Sequence, residues 1–293
     1  MKYTYHLTLL LLSLSLIACE DVVDIELQNG ETLYVADAFL TNESTEQLIR
    51  LTTTASYFDN SAPPAIKGAT VTVTGSDGTL YNFTESLNGY YVWSPAFPGD
   101  KIDSLGETYT LNITIGNEFF QATSVLNPVP PIDSIAFEFD DDPKDEDDEG
   151  YTAEFFATDI PNRVDYYWIK AYKNGQRVGG EGNFSLTDKD AAFGDVDIDG
   201  RLFIFPLRVF TINEDDYYYQ INDTLRVELY SINAETHEFL EAVSVQTNNG
   251  GLFATPTANV YGNIRDANNQ PQKKMLGAFN ISSVSKKTAI VTP

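Results

Sequence analysis

The chain has 293 residues, 43 of them acidic and 18 basic, and its formal net charge is −25 at pH 7. A surface this negative repels phosphate backbones, so the composition argues against nucleic-acid binding. The hydrophobic fraction of 42% is large enough for sizeable cores, and the length fits one large domain or two ordinary ones. With a single cysteine the chain cannot form an intramolecular disulfide.

The N-terminus has the pattern of a secretory signal peptide. Lys2 precedes an apolar run over residues 7–17, which is too short to span a bilayer, since a spanning helix needs about 20 residues. The order Leu-Ile-Ala immediately before Cys19 resembles the bacterial lipoprotein signal, in which the cysteine is acylated and becomes the first residue of the mature chain. The pattern therefore predicts a signal peptide at 1–18 and lipidation of Cys19.

The residues after Cys19 predict a lipidated tether over 19–31. Three acids follow the cysteine closely, at Glu20, Asp21 and Asp24. Acids at these positions resemble the surface-export signal of Bacteroidota lipoproteins. We therefore expect an outer-membrane protein that is lipid-anchored and exposed at the cell surface.

Residues 32–126 alternate apolar and polar side chains over short segments that are separated by turn signals. Asp77-Gly78 and Gly116-Asn117 favour hairpin turns, and the spacing gives seven strands within about a hundred residues. The segment that ends in Tyr109 resembles the tyrosine corner of immunoglobulin-like domains. The fold class predicted for this part is an immunoglobulin-like β-sandwich.

The Pro-rich segment 127–132 predicts a linker, because proline lacks a backbone donor and interrupts helices and central strands. Residues 133–293 favour a second, mostly-β domain of sandwich type with one short helix near 234–246, capped by Asn233. Within this domain the segment 201–210 (RLFIFPLRVF) is predicted to be a strand. The acidic run 140–149 is expected to be a solvated loop.

The segment GDVDIDG contains a candidate calcium site. Asp195, Asp197 and Asp199, followed by Gly200, match the spacing of the first ligands of a calcium loop. Position twelve is Pro206 where the helix–loop–helix site needs a bidentate glutamate, so only a loop-type site stays open. The alternative is a solvated turn, in which Asp and Gly are preferred anyway. We expect no required cofactor, with Ca²⁺ as the one candidate ion.

Catalytic signals are sparse. The two histidines are His6, inside the leader, and His237, so zinc sites and catalytic triads lack partners. We therefore expect a protein that is not an enzyme. A pair of acids could still perform glycoside hydrolysis, and no pair is singled out by its pattern.

Three short motifs of the form Asp-Ser/Thr-aliphatic resemble the O-glycosylation motif of exported Bacteroidota proteins. Their candidate acceptors are Ser104, Ser134 and Thr224. The alternative is a chance occurrence, because Asp, Ser and Thr are common in such loops.

Taken together, several segments resemble a Bacteroidota lipoprotein family known as domain of unknown function 4249. They are the leader ending in Cys19, residues 48–74 (LIRLTTTASYFDNSAPPAIKGATVTVT), NPVPPIDSIAFEF, DTLRVELYSINAETHEFL, FATPTANVYGNI and LGAFNISSVS. Members typically lie beside genes for TonB-dependent receptors. The resemblance implies an accessory role at an uptake pore, and it brings no catalytic residues.

Three functions follow as hypotheses. The first is a surface-anchored, non-catalytic binding or accessory subunit of a TonB-dependent receptor, with the membrane contacted through the lipid and a ligand that the residues do not identify. The second is a structural or adhesive spacer at the cell surface. The third is a carboxylate-dependent glycan hydrolase.

Overall fold

The computed structural model describes residues 31–56, 61–140, 149–179, 191–194, 199–213, 218–247, 258–268 and 275–293. The predicted signal peptide, Cys19 and all of the tether except Glu31 lie outside the described residues. So do Asp195 and Asp197 of the candidate calcium loop and residues 141–148 of the acidic run.

The first part of the chain forms strands where the alternation predicts them. Inward-facing positions are buried and their neighbours are exposed or half-buried, as in the pattern of Gln47–Thr53. A single 3₁₀ turn, Leu87–Gly89, joins two of the strands. The strands are Tyr34–Thr41 (β1), Gln47–Thr53 (β2), Thr70–Gly75 (β3), Leu80–Glu85 (β4), Tyr90–Trp93 (β5), Thr108–Ile115 (β6) and Glu118–Val125 (β7).

These strands belong to one nine-stranded sheet, completed by Arg265–Asp266 (β14) and Leu276–Ser282 (β15). The strand order is β14-β7-β6-β3-β4-β5-β2-β1-β15. The sheet folds over on itself, so that residues from both of its halves, such as Leu40 and Leu111, share one buried core. Burial of apolar side chains between the two halves is the main source of stability for such a sandwich. The predicted mainly-β class is confirmed.

The predicted tyrosine corner has the expected contact. Tyr109 is buried at the start of β6, and its hydroxyl oxygen accepts a hydrogen bond from the backbone N–H of Ser104, at 3.3 Å. A bond of this kind ties the strand to the loop before it. The corner is thus built as the sequence predicts.

Strand β15 comes from the C-terminal part of the chain and pairs in parallel with β1 along its whole length, from Val35 opposite Leu276 to Thr41 opposite Ser282. Gly277 lies opposite Ala36 with φ of +90°, and a Cβ there would lie 1.9 Å from the Ala36 carbonyl oxygen. Only glycine allows this close approach. Residues Thr32–Pro293 form one compact unit, in which β15 lies in the first sheet although it follows the predicted linker by more than a hundred residues.

The remaining strands build a smaller second layer. They are Ile132–Asp140 (β8), Gly150–Ala157 (β9), Tyr166–Lys173 (β10), Gln176–Arg177 (β11), Ala191–Gly194 (β12), Thr224–Ile232 (β13) and Val284–Ile290 (β16). Five of them form a sheet with the order β11-β10-β13-β16 and with β12 beside β10, while β8 and β9 form a separate antiparallel pair. Phe155, Tyr167 and Val227 lie in the core of this part.

The described residues contain two α-helices, Phe205–Val209 (α1) and Ala234–Thr247 (α2). α2 agrees with the predicted helix, and its first backbone bond runs from the His237 N–H to the Asn233 carbonyl at 2.9 Å. The strand predicted at 201–210 is wrong. Pro206 lies in the first turn of α1, where its fixed φ suits a helix. Its missing backbone N–H does no harm there, because an N–H in the first turn has no partner within the helix. No described helix is both long and apolar enough to cross a membrane.

Candidate functional site

The described residues of the candidate calcium loop, Asp199 and Gly200, form hydrogen bonds with neighbouring loop residues. An Asp199 carboxylate oxygen accepts a hydrogen bond from the Asn162 N–H at 2.7 Å, and the Gly200 N–H donates to buried Asp159 at 2.9 Å. Gly200 has φ of +66°, which suits glycine in a tight turn. Among the described residues no group of three or more potential metal-binding side chains occurs. Calcium binding by Asp195, Asp197 and Asp199 remains a prediction.

The three candidate glycosylation residues differ in their surroundings. Ser104 is exposed on a turn before β6, and Ser134 is exposed on β8 beside an irregularity in the strand register. Thr224 is half-buried, and its hydroxyl lies 3.3 Å from the side-chain oxygen of Asn174. An enzyme would therefore reach Ser104 most easily, since a turn offers an accessible hydroxyl.

His237 is held within α2 by neighbours that do not form a metal site. Its Nδ1 lies 3.7 Å from a carboxylate oxygen of Glu241, and its ring centroid lies 5.1 Å from that of Tyr166. The buried acids Asp159 and Asp165 also have local partners. Tyr167 donates to Asp159 at 2.7 Å, and Arg163 pairs with Asp165 at 2.7 Å. These contacts give each of the three side chains a structural role.

A surface groove opens where two neighbouring strands separate. β4 pairs with β5 only at its end, Thr84 opposite Val92 and Glu85 opposite Tyr91. Its earlier residues, Leu80–Phe83, pair instead with β3. β4 therefore changes partner halfway along, and the space that opens between it and β5 has a volume of about 530 Å³.

Most of the groove lining is polar. Asn82 and Thr84 come from β4 and Ser94 follows β5, so amide and hydroxyl groups face a common space. Ser86, at the start of the connecting turn, adds a further hydroxyl. Such groups donate and accept hydrogen bonds, which suits a polar ligand.

Two carboxylates, Glu46 and Glu85, are among the residues that line the groove. Glu46 belongs to the turn between β1 and β2, which is built around buried Gln47. The Gln47 side-chain amide accepts from the Thr41 N–H at 2.8 Å and donates to the Glu43 carbonyl at 3.2 Å. The turn is thereby fixed, and with it the position of Glu46.

Each carboxylate also makes one local hydrogen bond through one of its oxygens. The Ser94 hydroxyl donates to Oε1 of Glu46 at 3.0 Å, and the Gly68 N–H donates to Oε2 of Glu85 at 2.6 Å. Both side chains are exposed.

The apolar part of the groove is formed by Val92 and Trp93. The half-buried Trp93 ring packs edge-on against Tyr81, with centroids 5.3 Å apart and an interplanar angle of 82°. Burial raises the pKa of Tyr81 to about 12, so its ring stays neutral beneath the tryptophan at physiological pH. Trp93 is therefore half-buried and held in place by packing against the core of the first sheet.

None of the groove residues was predicted from the sequence as a site. The strands that carry them are predicted correctly, and Trp93 is one of only two tryptophans in the chain. Tryptophan is rare in this chain, and Trp93 is the last residue of a strand. These two facts are the one signal that could have drawn attention to the groove. Both partners of β4 are its neighbours along the chain, and no residue pattern in Leu80–Glu85 marks the point at which pairing with β3 ends and pairing with β5 begins.

Comparisons with known proteins place the chain in a family. No curated protein matches it. A family model described as a domain of unknown function, DUF4249, matches residues 20–288. Its range starts one residue after Cys19, includes the whole first sheet and the groove, and ends within β16. The chain therefore belongs to the DUF4249 family of domains of unknown function.

Proposed function

We propose that this protein is a surface-anchored lipoprotein of the outer membrane and a non-catalytic binding or accessory subunit of a TonB-dependent uptake receptor. The observation that carries the proposal is the open, polar groove between β4 and β5 on a folded body that starts at Thr32, soon after a lipidation-type leader. A binding subunit needs an accessible recognition site on a rigid scaffold, and loops and strand ends of a sandwich provide one.

The N-terminal sequence supports the first part of this proposal, since a short apolar run and the order Leu-Ile-Ala directly precede Cys19. Acyl chains at Cys19 would hold the protein stably, because each buried methylene adds about 0.8 kcal/mol of membrane affinity. The 19–31 tether would then connect the lipid to the first sheet.

Membrane attachment is tested by growing cells with a clickable fatty acid and comparing the wild-type protein with Cys19→Ala. We expect labelled wild-type protein in the outer-membrane fraction, digestible by protease added to intact cells. The alanine variant should carry no label and leave that fraction. Equal labelling of the two proteins would refute lipidation at Cys19.

Receptor partnership is tested by cross-linking intact cells, extracting the outer membrane with mild detergent and purifying the tagged protein. A TonB-dependent receptor that co-purifies in comparable amounts is the expected result. Isolation of the protein alone, with and without cross-linking, would contradict the accessory role and favour a spacer.

A further inference from the structure

The strand β8 has one edge without a sheet partner. Within the described residues β8 pairs only with β9, and the far side of β9 is covered by other parts of the chain. There Tyr151 exchanges two backbone hydrogen bonds with Tyr219. The Ala153 N–H and carbonyl both bond to the side chain of Asn213, at 2.9 and 2.8 Å. The open edge of this pair of strands is therefore the edge of β8.

The same contacts show which backbone groups of β8 face the open edge. In an antiparallel pair, the N–H and C=O of one residue point to the same side, and two opposite residues either bond to each other or both point away. Tyr151 and Ala153 bond away from β8, so the residues opposite them, Phe139 and Phe137, point away from β9. Ile135 follows by alternation. The backbone groups of these three residues have no partner within the described part of the chain.

The side chains on this edge favour pairing with a further strand. Ile135 and Phe137 pack half-buried against the core of the second layer, and Phe139 is 46% exposed. The neighbouring strand β16 pairs only with β13 among the described strands, but it carries Lys286 and Lys287. Lysine on an edge strand commonly prevents the addition of another strand, and β8 contains no lysine, arginine or proline. The edge of β8 is thus a template for strand addition.

Charge at the two ends of β8 indicates which strand fits this edge. Lys287 lies beside the start of β8, where its Nζ donates to the Asp133 carbonyl at 3.0 Å. The strand ends at Asp140, the first residue of the acidic run 140–149. An antiparallel strand with the same polarity would bring its own acidic end to the lysine, and its own lysine to the acidic end. β8 of a second copy of the chain has this polarity.

Two antiparallel copies of β8 are also complementary residue by residue. With a two-fold axis at Phe137, the outward backbone groups of Ile135 in one copy lie opposite those of Phe139 in the other. Glu138 lies opposite Ala136, so no two like charges between positions 134 and 140 face each other directly. Two-fold contacts of this self-complementary kind produce closed dimers, the commonest oligomers of soluble proteins.

We propose that β8 is an association surface for a second copy of this chain, which adds its own β8 as an antiparallel strand centred on Phe137. The two β8–β9 pairs then form one continuous sheet. The charge of −25 on each copy opposes association, so the dimer forms at high protein concentration. This inference goes beyond the proposed accessory role and does not depend on a receptor.

Disulfide cross-linking of the full-length protein, purified in detergent, tests the register. Ala136→Cys and Glu138→Cys place thiols at exposed positions of β8. Directly opposite residues in an antiparallel pair lie close enough for a disulfide, whereas diagonal neighbours are at the limit of its reach. A mixture of the two variants should therefore give more cross-linked dimer than Glu138→Cys alone. The wild type, whose only cysteine is Cys19, gives the background.

Sedimentation velocity over a series of protein concentrations tests the strength of the contact. Phe139→Lys should weaken dimerisation by about tenfold or more, because the contact between Phe139 and Ile135 of the other copy is lost on both sides of the axis. Phe205→Lys makes the same change in charge at a phenylalanine on α1 that is 55% exposed, and it should dimerise as the wild type does. Urea unfolding confirms that both variants are folded.

Four outcomes overturn the proposal. The first is a monomer at every concentration, with no cross-linking above the wild-type background. The second is equal weakening by the two lysine substitutions. The third is stronger cross-linking of Glu138→Cys with itself than in the mixture, which shows another register. The fourth is a Glu138→Cys adduct with a different protein in intact cells and no homodimer, which assigns the edge to that protein.

Discussion

At the scale of single residues, the backbone of β15 requires glycine at one position. Gly277 has φ of +90° and its missing side chain leaves room for the Ala36 carbonyl oxygen. We predict that Gly277→Ala lowers the free energy of unfolding by more than about 2 kcal/mol, since it adds a backbone clash to the strain of a positive φ. Urea unfolding followed by fluorescence measures this.

The matched control for this substitution is Gly78→Ala. Gly78 has φ of +88°, but a Cβ there meets nothing within 4 Å, so only the cost of the positive φ applies. We expect a clearly smaller loss than for Gly277→Ala. Equal losses of unfolding free energy in the two variants would mean that the close approach of the Ala36 carbonyl is not the reason why position 277 requires glycine.

A second prediction at this scale concerns pH. The backbone N–H and the hydroxyl of Thr79 each donate to the Asp77 carboxylate at 2.8 Å, and these bonds hold its pKa below the usual 3.8. A depressed pKa stabilises the fold above the unfolded pKa, and this contribution disappears as pH falls through the folded one.

We therefore expect the stability difference between the wild type and Asp77→Asn to be constant above about pH 5 and to shrink below pH 3.8. Urea unfolding at a series of pH values measures it. A difference that grows on acidification would contradict the direction of the shift.

At the scale of elements, one asparagine joins the two ends of the folded sheet. The buried Asn263 side chain donates to the carbonyls of Phe279 on β15, at 2.8 Å, and Thr123 on β7, at 3.2 Å, and it accepts from the Phe279 N–H at 2.9 Å. We predict that Asn263→Ala costs about 2–4 kcal/mol, because buried backbone groups lose their partners. Denaturant unfolding measures the cost.

Asn112 on β6 provides the control for Asn263. Its side-chain oxygen accepts from Gln121 at 2.9 Å in an exposed pair, so water can replace the lost bond in Asn112→Ala. We expect a change within about 0.5 kcal/mol. A similar cost at both positions would argue against a special role of Asn263 in joining β7 to β15.

At the scale of the whole molecule, Lys286 connects the first sheet with the second. Its Nζ lies 2.7 Å from Glu43 in the β1–β2 turn and 3.4 Å from buried Glu228 on β13. Arg226 and the Tyr230 hydroxyl also contact Glu228, so the carboxylate keeps partners when Lys286 is removed.

We predict a loss of about 1–2 kcal/mol for Lys286→Met, less than for a fully buried ion pair because the lysine side chain is 36% exposed. Lys287→Met removes a neighbouring charge that contacts only the Asp133 carbonyl in the described residues, at 3.0 Å, and should cost less. Thermal unfolding at low and high salt checks both. If both substitutions lower the stability equally, the contacts of Lys286 with Glu43 and Glu228 do not stabilise the junction of the two sheets.

The sequence by itself determined the mainly-β class, seven strands of the first sheet, helix α2 and the tyrosine corner. These features depend on local patterns, namely alternation of period two, turn residues and a capping asparagine. The segment 201–210 was misassigned because its apolar residues fit a strand and a short helix alike, and Pro206, whose φ suits the first turn of a helix, begins a helix there.

Only the tertiary structure decided how the strands combine. Nothing near Leu276–Ser282 indicates that it pairs with Tyr34–Thr41, more than two hundred residues earlier, and nothing in Leu80–Glu85 indicates that it changes partner halfway. Strand pairing is chosen by long-range contacts between apolar faces, which local composition does not encode. The groove between β4 and β5 opens where β4 passes from the strand before it to the strand after it, a point that no residue pattern marks, so the candidate site could be found only in the folded chain.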